Sequence, residues 1–151
     1  MHHTKSVLAL VGALVVTLTT TGAIVQTAPA EAATTRISSA CSSVPTTTTE
    51  YDGIPGPVFY KRLQCFGSMP GSGYTGPIDG VMGPNSWQSV AIQLIVRGHF
   101  YGNSIPNWES PDTVAALQHW AAAHGRYDGP IDGIWGPNSY RGVAWMLNRA
   151  F

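Results

Sequence analysis

The sequence predicts an all-α fold, a small helical bundle built from about four turn–helix repeats. Three observations predict it. Prolines fall at Pro57, Pro84, Pro111 and Pro137, in steps of 27, 27 and 26 residues. Largely apolar positions recur three, six and ten residues after each proline: Tyr60, Leu63 and Gly67; Trp87, Val90 and Leu94; Val114, Leu117 and Ala121; Tyr140, Val143 and Leu147. One phrase stands almost unchanged before two of the helices, as GPIDGVMGPNSW from Gly76 and GPIDGIWGPNSY from Gly129. Apolar residues in this spacing trace one helix face, so each unit reads as a turn and a helix of about ten to fourteen residues. Ala91 and Ile95 extend the stripe of the second copy. A single stripe cannot bury itself, so the helices must share one core.

Before the repeats, residues 1–33 read as a secretory signal peptide. Lys5 supplies the positive start, Val7 to Val16 is apolar, and APAEAA at Ala28 to Ala33 offers cleavage after Ala30, Ala32 or Ala33. The apolar run is too short to span a bilayer. Residues 34–50 are polar and rich in threonine, the composition of a flexible tail. Residues 51–151 form the helical domain. Cys41 and Cys65, in an exported chain, are expected to form one disulfide. Closing that loop stabilises by about 3 kcal/mol. Two sulfurs without further ligands make a poor zinc site.

Each residue of the turn has a backbone task. Proline suits the first helical position, and the glycine before it occupies the cap. Asp-Gly marks a tight turn in which the carboxylate accepts backbone N–H bonds. Asp79 and Asp132 are therefore expected to hold their own turns, with Asp52 as the first-copy equivalent; the third copy has Pro106 there. Val81 and Met82, like Ile134 and Trp135, are expected to fold inward as plugs. Aromatic–glycine loops (GYTG, HFYG, RYDG) precede the turns, and Gly98 and Gly125 are placed to stop helices.

The run Leu63-Gln64, Tyr74-Thr75-Gly76, Ile78-Asp79-Gly80, Gly83-Pro84 and Ser86 resembles the peptidoglycan-binding-like domain family. It recurs as Leu117-Gln118, Tyr127-Asp128-Gly129, Ile131-Asp132-Gly133, Gly136-Pro137 and Ser139. Where that family commonly carries Phe-Gln late in the next helix, this chain has Ile92-Gln93 and Trp145-Met146. The resemblance implies a small helical module of the kind attached to bacterial cell-wall hydrolases, contacting peptidoglycan without catalysis or cofactor.

Charge narrows the partners. Beyond residue 33, seven basic residues balance seven acidic ones, so nothing steers the chain toward nucleic acid or an anionic membrane. Neutral glycans or a secreted protein remain. Candidate ligand contacts are Trp108, Trp135, Tyr74 and Tyr127, whose flat faces suit sugar rings, with Asp79 and Asp132 offering hydrogen-bond edges. Trp108, in the worn third turn, is the aromatic most expected to face a partner. His99, His119 and His124 lack the spacing of a metal triad, since five residues on a helix do not share a face. No nucleophile elbow occurs. The readings are, in order, a secreted non-catalytic peptidoglycan-binding module, a secreted protein-binding or inhibitory module, and a cell-wall hydrolase.

Overall fold

The computed structural model describes residues 37–151, and the expected signal peptide lies outside them. Each of the four prolines opens a helix. In chain order, a 3₁₀ turn at Ser39–Ser43 is followed by α1 (Thr49–Asp52), α2 (Pro57–Gly67), α3 (Pro84–Val96), α4 (Pro111–Ala123) and α5 (Pro137–Leu147). No strand occurs among the described residues. Extended residues at Gly56, Gly83, Ser110 and Gly136 cap the four proline helices. Gly98 and Gly125 end α3 and α4. There the amides of His99 and Arg126 reach back to the carbonyls of Leu94 and Ala121, the paired-bond helix stop in which a left-handed residue follows the last turn.

The helices bury the face read from the spacing. Leu63, Val90, Leu117 and Val143 are fully buried, as are Leu94, Ala121 and Leu147. Gly67 completes the set because α2 and α3 meet there, and a Cβ would collide with the Ser89 hydroxyl. Phe66 stacks on Trp120 with centroids 4.6 Å apart. Ile95 departs from the expected stripe and is exposed, one residue past the buried Leu94.

Residues 37–50 are not the loose tail their composition predicts. Cys41 and Cys65 are joined, enclosing a sequence separation of 24 residues. Thr47 exchanges two hydrogen bonds with Asn148, its amide to Oδ1 at 2.8 Å and its carbonyl from Nδ2 at 2.9 Å. Thr49 is buried and starts α1, so the helical body begins before residue 51. The threonines make this possible, since hydroxyls satisfy buried polar groups that a greasy strap would leave unpaired. Reducing the disulfide is expected to lower the unfolding free energy by about 3 kcal/mol. Urea unfolding with and without reductant measures it, and amide exchange should rise first in residues 38–48.

Candidate functional site

The two intact turns are built by one device that uses a buried glutamine. Gln64, in α2, donates through Nε2 to Asp79 Oδ1 and to the Val81 carbonyl, both at 3.0 Å, and accepts from the Gly80 amide at 2.8 Å. Gln118, in α4, repeats this on Asp132 Oδ1 (3.0 Å), the Ile134 carbonyl (2.9 Å) and the Gly133 amide (2.9 Å). Each carboxylate also accepts the amide two residues on, that of Val81 or of Ile134. The glutamine amide and the Val81 amide hold Asp79 below the usual carboxylate range; for Asp132 the Ile134 amide contributes most, then Gln118. Both aspartates are thus occupied in holding turns. Because the position seven residues after the proline is glutamine only in the first and third copies, and alanine (Ala91, Ala144) in the others, the deeper repeat is a two-helix unit, α2–α3 followed by α4–α5.

The aromatic–glycine loops build the neighbouring surface. Tyr74 and Tyr127 fold back over Gly76 and Gly129, where any Cβ would strike the ring. Their hydroxyls donate to the carbonyls of Pro77 and Pro130, both at 2.8 Å. Beside each ring opens a groove. One, of about 330 Å³, is lined by Tyr74, Gly76, Pro77, Val81, Gly83, Pro84, Asn85 and Ser86. The other, of about 390 Å³, is lined by Tyr127, Asp132, Ile134, Trp135, Gly136, Pro137, Asn138 and Ser139. Tyr74, Val81, Gly83, Pro84, Asn85 and Ser86 each have their counterpart in the second groove, so one site is made twice.

The inward plug is half of what the sequence suggested. Met82 and Trp135 pack on the core, whereas Val81 and Ile134 point outward, 72 % and 69 % exposed. The aspartate turns the first residue out by taking its amide. The same place, three residues before the proline, holds Ile54 in the first copy and Trp108 in the third, 69 % and 58 % exposed. Every repeat therefore presents a large apolar side chain to solvent at one position.

Glycine contacts set the order of these four side chains. Gly53, Gly80 and Gly133 have φ of 73°, 86° and 73°, and each is pressed against the start of another helix. Gly80 lies on the Pro57 carbonyl, Gly53 on that of Pro137 and Gly133 on that of Pro111. The four turns consequently stand side by side in the order Val81, Ile54, Ile134, Trp108. The indole of Trp135 strengthens the last junction by donating to Glu109 Oε1 at 2.6 Å, while its face stacks on Tyr140 at 4.3 Å.

Among the sequence candidates, Tyr127, Asp132 and Trp135 share a groove; Tyr74 lines the equivalent one, with Asp79 in the turn behind it. Trp108 lies outside both grooves, at the end of the row. Trp87 and Trp120 are core residues. Trp145 is held between Arg126 and Arg149, whose guanidinium carbons sit 3.8 and 4.1 Å from its ring centroid. His99 and His119 face each other, with their Nδ1 atoms 3.1 Å apart. Among the described residues no group of three His, Cys, Asp or Glu side chains converges as a metal site, and no helix is long and apolar enough to cross a membrane. Asn85, Asn138 and the outward Val81 and Ile134 were legible in the repeat, but their exposure was not.

Comparison with known proteins finds no family model, curated protein or solved structure that matches the chain.

Proposed function

We propose that the chain is a secreted, non-catalytic module that binds peptidoglycan along the row of turns. The observation that carries this reading is the exposed apolar residue at the same place in all four repeats, with a tyrosine–asparagine groove beside two of them. Folding does not require those side chains outside. A surface that repeats is suited to a polymer that repeats, and apolar faces beside amide and hydroxyl edges suit an acetylated glycan carrying short peptides. Balanced charge agrees with a ligand held by shape and hydrogen bonds. The family resemblance supplies the choice of peptidoglycan among such polymers.

The mature protein is expected to co-sediment with insoluble sacculi at moderate salt and neutral pH. Protein left in the supernatant would refute the reading. Val81→Asp combined with Ile134→Asp should weaken retention tenfold or more while unfolding stays within about 0.5 kcal/mol of the parent, as for other surface substitutions. An exposed tryptophan beside aliphatic residues also suits a protein partner. One stoichiometric protein captured from culture medium, with no retention on sacculi, would favour that second reading. N-terminal sequencing of exported material tests secretion, with cleavage expected after Ala30, Ala32 or Ala33.

A further inference from the structure

The loop between α3 and α4, which carries Trp108, is fastened differently from its counterparts. The other two loops are gripped by a buried glutamine and an aspartate. Here the glutamine position on α3 is Ala91 and the aspartate position is Pro106. Two side-chain hydrogen bonds tie residues 99–109 to other elements. One is the indole of Trp135 on Glu109, and the other joins His99 Nδ1 to His119 Nδ1 of α4. A neutral amide clamp has been replaced by a pair of imidazoles.

That pair tolerates only certain proton counts. The bond needs one Nδ1 carrying hydrogen and one bare lone pair. Two neutral rings meet this requirement, and so does a pair holding a single extra proton. With both rings charged, two N–H donors and two positive charges face each other and the bond is lost. Few opposite charges offset this. Arg97 stands at the end of α3, His124 of α4 lies with its ring centroid 6.2 Å from that of His99, and Tyr101 meets His119 edge-on at 5.2 Å. Asp112 of α4 supplies the one carboxylate of the cavity of about 170 Å³ beside the pair.

We propose that the His99–His119 pair is an acid-released latch on the loop 99–110, and that its opening changes how Trp108 is presented at the end of the row. The second half rests on the proposed function; the latch itself does not. Burial, then the charges of His119, His124 and Arg97, hold His99 below its ordinary value of 6.5. A depressed histidine is neutral in the folded state where the unfolded chain is already charging. Its contribution to stability is therefore complete above about pH 6.5 and is lost as pH falls through the folded value.

The test is amide hydrogen exchange of the intact mature protein at pH 7.5 and pH 5.0, expressed as protection factors. Protection of the His99 amide, which donates to the Leu94 carbonyl, is expected to fall about tenfold, the local effect of losing one hydrogen bond, while α2 and α5 amides hold theirs. His119→Gln keeps a neutral hydrogen-bonding partner and should abolish the pH effect; His124→Gln should preserve it. His99→Gln serves as the same test should His119→Gln fail to fold. Unchanged protection across the range, or an equal fall in His119→Gln, overturns the latch. Sacculi binding compared at the same two pH values separates the ideas. Equal binding by a loop that opens refutes the regulation of Trp108, and absence of binding at both pH values refutes the proposed function while the exchange result stands.

Discussion

Gln118→Ala is expected to lower the unfolding free energy by about 3 kcal/mol, the combined effect of the polar groups it orphans. Its side chain is fully buried and makes three hydrogen bonds to one turn, to Asp132 Oδ1, the Ile134 carbonyl and the Gly133 amide. Truncation leaves the part-buried Gly133 amide and Ile134 carbonyl without that partner, at about 1–3 kcal/mol for each group orphaned. Gln118→Glu should do almost as much damage, because it removes both donors and sets a second carboxylate against Asp132. Asp132→Asn, by contrast, keeps an oxygen for the Ile134 amide and should cost less than about 1 kcal/mol, the ordinary value of one exchanged hydrogen bond. Gln64→Ala should reproduce the large loss in the first unit. Urea midpoints at constant slope measure all four. A loss under 1 kcal/mol for Gln118→Ala would show that the turn is held by its glycine and proline alone. The pH profile gives a separate check. The Ile134 amide and Gln118 hold Asp132 below its ordinary 3.8, so its contribution is present above that value and disappears as pH falls through the folded one.

How far the fold was legible follows from what kind of interaction sets each feature. Helix starts were readable because proline is locally suited to the first turn, and the buried face was readable because its spacing is a property of a single helix. The glutamines were not readable from the residues as clamps, since each acts on a turn 14 or more residues away whose approach depends on packing. The resemblance pointed at Leu63-Gln64 and Leu117-Gln118 without giving the amide a task. Val81 and Ile134 were assigned inward on hydrophobicity; the aspartate's hold on their amides turned them out. The strap at residues 37–50 was misread for a related reason. The Thr47 and Thr49 hydroxyls pair with each other, Thr49 donates to the Ile54 carbonyl, and Ser68 accepts from the Ser38 amide 30 residues away, and composition carries no trace of that. The exposed row shows the limit most directly. Its four members occupy one position in the repeat, but their order along the surface depends on Gly53 closing against Pro137, at the other end of the helical body.

Arg62→Ala is expected to be the most damaging polar substitution, at about 4 kcal/mol, because it orphans several carbonyls at about 1–3 kcal/mol for each one buried. Arg62 is 3 % exposed and its side chain bonds to no Asp or Glu. Its guanidinium instead donates to carbonyls from three parts of the chain. Nε and Nη2 reach Leu147 at 3.2 and 2.9 Å, Nη1 reaches Val44 and Pro45 at 3.1 and 3.2 Å, and Nη2 also reaches Phe151 at 3.4 Å. The Phe151 ring covers its guanidinium carbon at 4.4 Å. Burial lowers the arginine's proton affinity, yet arginine remains charged in proteins, and the carbonyl end of α5 is the favourable pole for a cation. Leu147 is the last residue of that helix, so the side chain caps α5 while pinning the strap and the chain beyond it. Arg62→Met tests whether charge or hydrogen bonding matters: it fills the space without a charge but orphans the same carbonyls, and about 3 kcal/mol of loss is expected. Arg62→Lys keeps the charge on a single nitrogen and cannot span all four carbonyls, so it should recover only part. The ordering Lys, Met, Ala from mildest to most severe, read from urea midpoints, would identify carbonyl satisfaction as the dominant effect. A variant in which Met equals or exceeds the parent would mean that desolvation of the charge outweighs its bonds. Amide exchange adds a spatial check, because protection should be lost together in residues 44–49 and at the end of α5, regions that this side chain bridges.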